Sequence, residues 1–271
     1  MARQSRSRRS PVSAWRPALG ADTEGITSAD AKAGLIAVTD RTARQLVVLD
    51  ASSRKRIASA KLATEPDYIR IVKSKNEIWV TQPSESRIEI FSLGEDRHPK
   101  HSAFIAVEGG PESLVIDDDH GRAFANTWKD ETLAVDLNSR SIVSRWPNGC
   151  SGSRGLTFDP DDTRLFVGCK EGKLTVLDAS SGKQLGSASS GDGVDIIAYD
   201  AKLKHAYLPG ARSATMAVIA IEATGTTRVL ETAHTAPGAH CVASDGQGKA
   251  FVCEPQKGRL LLFDDRALEA H

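Results

Sequence analysis

Six residues of this 271-residue chain are of types that bind or catalyse, and they recur at a nearly constant interval. Glu24, Asp67, Glu112, Arg154, Asp195 and His240 follow one another at steps of 43, 45, 42, 41 and 45 residues. Brought round a common axis, the four carboxylates would repel one another unless neutralised. Arg154 offsets one of them. A bound cation or a positively charged ligand would offset others. Two chemistries fit. In one, Glu24, Asp195 and His240, with Glu112 as a further donor, hold a divalent cation (Ca, Mn or Zn) whose bound water attacks an ester-like carbonyl. In the other, the six side chains form a wet polar surface that takes a ligand without turnover. No nucleophile–base constellation accompanies them, which favours binding.

The elements that would position these residues repeat with the same period. Strand endings LVVLD at Asp50, IEIFS at Ser92, LAVD at Asp136, LTVLD at Asp178, AVIAI at Ile221 and LLLFD at Asp264 are 42, 44, 42, 43 and 43 residues apart. The hexapeptide VLDASS stands at both 48–53 and 176–181. Each copy begins with a short strand, as in YIRIV, SLVID and GLTFD. A polar turn and a second strand come next, as in NEIWVTQ and RLFVGC. The strand with the shared ending is third, and most copies add a fourth, such as KRIASAKL or SIVSRWP. Short β-branched and aromatic runs between Asp, Gly, Ser and Lys turns are antiparallel strands. Four of them per 40–50 residues make a β-propeller blade. The sequence therefore predicts an all-β, six-bladed propeller of four-stranded blades, seven being the alternative. The six leading residues would then face the mouth of its central channel.

The sixth copy stops after LLLFDD, and a bare edge is a liability. VSAWRPAL, 12–19, is the expected outer strand of that blade. The chain is thus divided into a basic arm (1–11), one propeller domain (12–265) and a tail (266–271). Asp50, Asp136, Asp178 and Asp264 end strands just before turns, where a carboxylate accepts backbone N–H bonds. They are read as turn residues, not catalysts.

Blades such as RLFVGCKEGKLTVLDASSGKQLGSASSGDGVDIIAYD resemble the YVTN-repeat, YncE-like β-propellers. The resemblance covers nearly all of 22–265 and is strongest from 111 to 265. No blade spells YVTN, the nearest being IAVTD and IWVTQ, and the fifth ends AVIAI without the usual Asp. The resemblance implies the propeller fold and export, and no defined activity. TEGITSAD is similar to the first-blade glutamate motif of SMP-30/gluconolactonase-like hydrolases, which implies a metal-bound water acting on a lactone. That family also uses an Asn ligand, and none of the six leading residues is Asn.

Cys150, Cys169, Cys241 and Cys253 complete the chemical inventory. In HCVASDGQGKAFVCE a hairpin centred on Gln247 sets Cys241 opposite Cys253, within bonding reach if the pair is not hydrogen-bonded. Cys150 and Cys169 approach on neighbouring strands of the fourth copy. Two disulfides suit an oxidising compartment. A Zn site of Cys with His240, and four inert thiols, stay open. Trp79, Trp128 and Trp146 lie on or beside strands and are expected to pack between blades.

Lys plus Arg and Asp plus Glu are equal at 35 each, so no net field gathers nucleic acid, and none is expected as partner. The arm carries Arg3, Arg6, Arg8 and Arg9, but Pro11 and Pro17 interrupt the stretch after it, and no signal peptide is visible. No run is long enough for a membrane span. A periplasmic or extracellular location is expected from the resemblance and the paired cysteines, and a monomer from the architecture. The leading reading is a non-catalytic propeller that binds a small ligand, peptide or protein partner. The alternatives are a metal-dependent lactonase- or esterase-like hydrolase and a structural exported module.

Overall fold

A computed structural model describes residues 25–266. Glu24, residues 1–11, the expected strand at 12–19 and residues 267–271 lie outside the described residues. Two compact units are present: residues 25–128 with 133–145, and residues 129–132 with 146–266.

In the first unit, β1 (Ile26–Lys32), β2 (Leu35–Asp40), β3 (Gln45–Asp50) and β4 (Arg56–Lys61) form one antiparallel meander. β5 (Ile69–Val72), β6 (Glu77–Gln82), β7 (Arg87–Leu93) and β8 (Pro99–Ala106) form the next. β9 (Val115–Asp117), β10 (Arg122–Asn126), β11 (Glu131–Asp136) and β12 (Ser141–Pro147) form a third, whose last two strands each run two residues into the second unit. The second unit continues with β13 (Ser153–Asp159), β14 (Arg164–Cys169), β15 (Lys173–Asp178) and β16 (Gln184–Ser189). The next sheet holds β17 (Ala198–Asp200), β18 (His205–Gly210), β19 (Thr215–Ile221) and β20 (Thr227–His234). Last come β21 (Val242–Ser244), β22 (Lys249–Glu254) and β23 (Arg259–Asp264). The fold is the all-β, six-bladed propeller that the repeat predicts. Among the described residues the sixth sheet has three strands, and Leu260 on β23 is exposed.

Hydrophobic patterning explains the order within a blade. Second and third strands such as LIAVTD and QLVVLD are almost continuously apolar and buried on both faces. The fourth strand SIVSRWP alternates between exposed and half-buried residues, having one face in solvent. The cores sit between successive sheets. Trp79, Ile90, Leu133 and Val135 pack together in the first unit, and Phe166, Val176, Leu208 and Ile219 in the second.

The repeated aspartates make turns. Asp178 Oδ1 accepts the N–H groups of Ser180 (3.1 Å) and Ser181 (2.8 Å) and the Ser181 hydroxyl (2.7 Å). Asp50 and Asp136 make the matching bonds to Ser53 and Ser139. A one-residue bulge between third and fourth strands accompanies the turn, at Val48/Leu49 and Val176/Leu177.

Buried carboxylates tie neighbouring sheets of the second unit. Asp159 accepts the Tyr199 hydroxyl (2.6 Å) and the Lys204 ammonium (3.2 Å), and Asp265 accepts the Tyr207 hydroxyl (2.7 Å) and bonds His205 Nδ1 (3.0 Å). Burial, then the hydrogen bond to a carboxylate, pushes both phenols well above the ordinary tyrosine range.

Candidate functional site

Among the described residues, Asp67, Glu112, Asp195 and His240 stand just before the first strand of their sheets, and Arg154 is the second residue of β13. In the first unit the backbone makes that placement. The N–H of Asp67 donates to the Thr81 carbonyl and that of Glu112 to the Asn126 carbonyl, both at 2.9 Å. The side chain has no part in these bonds, so its chemistry can vary from blade to blade. Asp67, Glu112, Arg154, Asp195 and His240 are all half-buried.

Two neighbours engage the leading residues of the first unit. Arg41 Nη2 lies 2.8 Å from Asp67 Oδ1, and its Nε donates to the Pro66 carbonyl at 3.2 Å. The indole N–H of Trp128 donates to Glu112. Trp128 is held from behind by its own N–H on the Gly109 carbonyl (2.9 Å). Gly110 allows this: at φ +74° a Cβ would lie 2.9 Å from the Pro83 carbonyl oxygen and 3.1 Å from the Trp128 ring.

The second unit brings three leading residues into one backbone chain. Gly155 N–H donates to the Asp195 carbonyl at 2.7 Å, and Ile196 N–H to the His240 carbonyl at 3.0 Å. Arg154, Asp195 and His240 are therefore carried by adjacent backbone segments that are directly hydrogen-bonded to one another. Gly155 is required for this approach, because a Cβ there would stand 2.4 Å from the Asp195 carbonyl oxygen. Arg154 Nη1 donates to its neighbour's carbonyl at Ser153 (3.1 Å). His240 Nδ1 lies 2.7 Å from the Gly238 carbonyl, a bond in which Nδ1 carries the proton and donates. The three side chains are a guanidinium, a carboxylate and an imidazole.

Both cysteine pairs are disulfides. Cys150 is bonded to Cys169 and Cys241 to Cys253, with Cα atoms 5.3 and 5.5 Å apart. The Cys253 N–H also donates to the Cys241 carbonyl (3.0 Å), so the two cysteines lie opposite one another as the Gln247-centred hairpin predicts, but as a hydrogen-bonded pair and not the non-hydrogen-bonded kind expected. Each bond joins the segment around a leading residue, Arg154 or His240, to the end of the second strand in its sheet. The thiolates that a Zn site with His240 would need are thereby consumed. Glu24, first of the three expected cation ligands, lies outside the described residues.

Sequence reasoning missed Arg41 and misread Trp128. Trp79 is fully buried, as expected of a packing residue, and the Trp146 ring lies against Gly182, where a Cβ would be 2.0 Å from it. Trp128 is 53% exposed, beside a candidate binding residue. The available signal was positional. Arg41 and Trp128 occupy the same place in their repeats, one or two residues beyond the end of the second strand, next to a leading residue.

No protein-family model matches the chain, and no curated protein matches its sequence. Solved structures do. A chain of the mitotic checkpoint complex aligns over 88% of this chain and 74% of its own at 9% identity, with a TM-score of 0.74. The computationally designed Ika8 protein aligns over 88% and 70% at 12% identity, with a TM-score of 0.66. A functionally unknown protein from Desulfotomaculum acetoxidans DSM 771 aligns over 84% and 78% at 12% identity, with a TM-score of 0.68. At these identities the likeness is one of fold. Among the described residues no helix is long and apolar enough to cross a membrane.

Proposed function

We propose that the chain is a non-catalytic binding propeller of the YVTN-repeat type, whose small ligand, peptide or protein partner engages the leading residues. The observation that supports this reading is the backbone-bonded series of segments carrying Arg154, Asp195 and His240, residues of donor and acceptor type and of both charges. Asp195 makes no side-chain hydrogen bond among the described residues, so its carboxylate is unspent on the fold. Propellers are a common scaffold for partners, and fold alone does not set chemistry. The two disulfides suit export to an oxidising compartment.

The test is a thermal-shift screen of small molecules and short peptides on the wild type and on Arg154→Ala/Asp195→Ala. Binding at this site predicts hits whose shift disappears in the variant while its unliganded Tm is unchanged. Hits that shift both proteins equally would place binding elsewhere. Elemental analysis of the purified protein separates the hydrolase reading. A stoichiometric ion lost in Asp195→Ala, with lactone turnover lost alongside, would overturn the non-catalytic assignment.

A further inference from the structure

We propose a second site, distinct from the leading residues: Cys150, Cys169 and Glu171 take up a zinc-class divalent cation when the disulfide between the two cysteines is reduced. One ligand atom from each of the three residues lies within 4.8 Å of the others. The two carboxylate oxygens of Glu171 differ. Oε1 accepts the Ser151 N–H at 2.8 Å and faces the Lys173 ammonium at 3.4 Å. No hydrogen bond engages Oε2 among the described residues.

The cradle does not depend on the sulfur–sulfur bond. Lys170 N–H donates to the Gly152 carbonyl at 2.8 Å, holding the two cysteine-bearing segments side by side. Lys173 Nζ reaches the Gly149 carbonyl. Asp130 Oδ1 accepts the N–H groups of Gly152 and Ser153, each at 2.7 Å, and Asn148 Oδ1 accepts that of Cys150 at 3.2 Å. With the Ser151–Glu171 bond, these polar contacts clamp the loop to the end of β14. The sulfurs therefore stay together after reduction, on Cα atoms 5.3 Å apart.

Two thiolates and one carboxylate form a borderline-soft donor set that suits zinc and disfavours calcium or magnesium. With three protein ligands the fourth tetrahedral position is left to water. The ammonium of Lys173 offsets part of the excess negative charge. The redox step balances with a dithiol reductant. It transfers two electrons and two protons to the Cys150–Cys169 bond and becomes a cyclic disulfide, and the incoming cation then displaces both thiol protons. Cys241 and Cys253 offer no such site, since no third metal-ligating side chain groups with them among the described residues.

The experiment uses the full chain carrying Cys241→Ser/Cys253→Ser, so that only the proposed pair can respond. Oxidised and dithiol-reduced samples, freed of reductant without oxygen, are titrated with zinc, and folding is followed by circular dichroism. The expected result is one zinc per folded reduced chain and none per oxidised chain. Glu171→Gln should weaken binding by about tenfold or more, at unchanged thiol content. Cobalt should give a thiolate charge-transfer band in the reduced protein alone. A folded reduced chain without stoichiometric zinc overturns the proposal. So does zinc uptake indifferent to Glu171→Gln, which would mark capture by loose thiols. Should the double serine variant not fold, the reduced wild type against Cys150→Ser/Cys169→Ser gives the same contrast.

Discussion

In the sheets β9–β12 and β13–β16 the turn after the third strand is nearly the same down to its hydrogen bonds, while the leading residues at the other end of the blades have nothing in common. Asp136 and Asp178 each collect two backbone N–H groups and one serine hydroxyl. The leading residues of those two blades are Glu112, bonded to an exposed indole, and Arg154, bonded to a main-chain carbonyl. At the turn the side chain itself completes the backbone's hydrogen bonding, so replacing it costs structure. At the leading position of the first unit the backbone N–H makes that bond, and the side chains of Asp67 and Glu112 bond different neighbours, Arg41 and Trp128. Repetition marks the residues that hold the fold, and the varying positions are those that the proposed function assigns to binding.

Removing the staple beside Arg154 should disturb both ends of that division most. Cys150→Ser/Cys169→Ser opens a cross-link spanning 19 residues, and such a loss costs about 3 kcal/mol. Denaturant unfolding should show it, together with weaker binding of any ligand found in the screen. Gly155→Ala comes next. Its Cβ would stand 2.4 Å from the Asp195 carbonyl oxygen, and relieving the overlap by backbone movement costs about 1–3 kcal/mol. Because it also parts Arg154 from Asp195, this variant should lose ligand affinity, which distinguishes it from an ordinary core substitution of equal cost.

Asp178→Ala tests the turn alone. Losing its hydrogen bonds should cost about 1 kcal/mol and leave ligand binding intact. The Ser181 hydroxyl, then the Ser181 and Ser180 N–H groups, hold the Asp178 carboxyl below its ordinary value of 3.8. A depressed folded value gives stability that is complete above the unfolded pKa and lost as the pH falls through the folded one. The Tm difference between wild type and Asp178→Ala should therefore be constant near neutrality and shrink below about pH 4. A difference that grew on acidification would contradict the turn assignment. The smallest structural effect belongs to Asp195→Ala, where unfolding should change by less than about 0.5 kcal/mol.

Legibility in the sequence divides along the same line. The turn aspartates, the strand period and the six blades were readable because backbone hydrogen bonding demands the same solution every 41 to 45 residues. The Cys241–Cys253 pair was readable from hairpin symmetry. The candidate site was only half readable. Arg154, Asp195 and His240 could be placed in line by counting, but not the glycine that lets their strands touch. Trp128 was read as packing because a tryptophan beside a strand is usually buried, and its exposure depends on Gly109, Gly110 and Glu112. The ion pair of buried Glu77, which also receives the Trp79 indole N–H, with half-buried Arg140 joins residues 63 positions apart that no local pattern links.

The most direct test of the division is a paired measurement: Tm without ligand, and the ligand-induced Tm shift, for Asp178→Ala and Asp195→Ala side by side. The account predicts a lower Tm with a full ligand shift for Asp178→Ala, and an unchanged Tm with no ligand shift for Asp195→Ala. Equal losses of stability in the two, or a ligand shift surviving in Asp195→Ala, would contradict it.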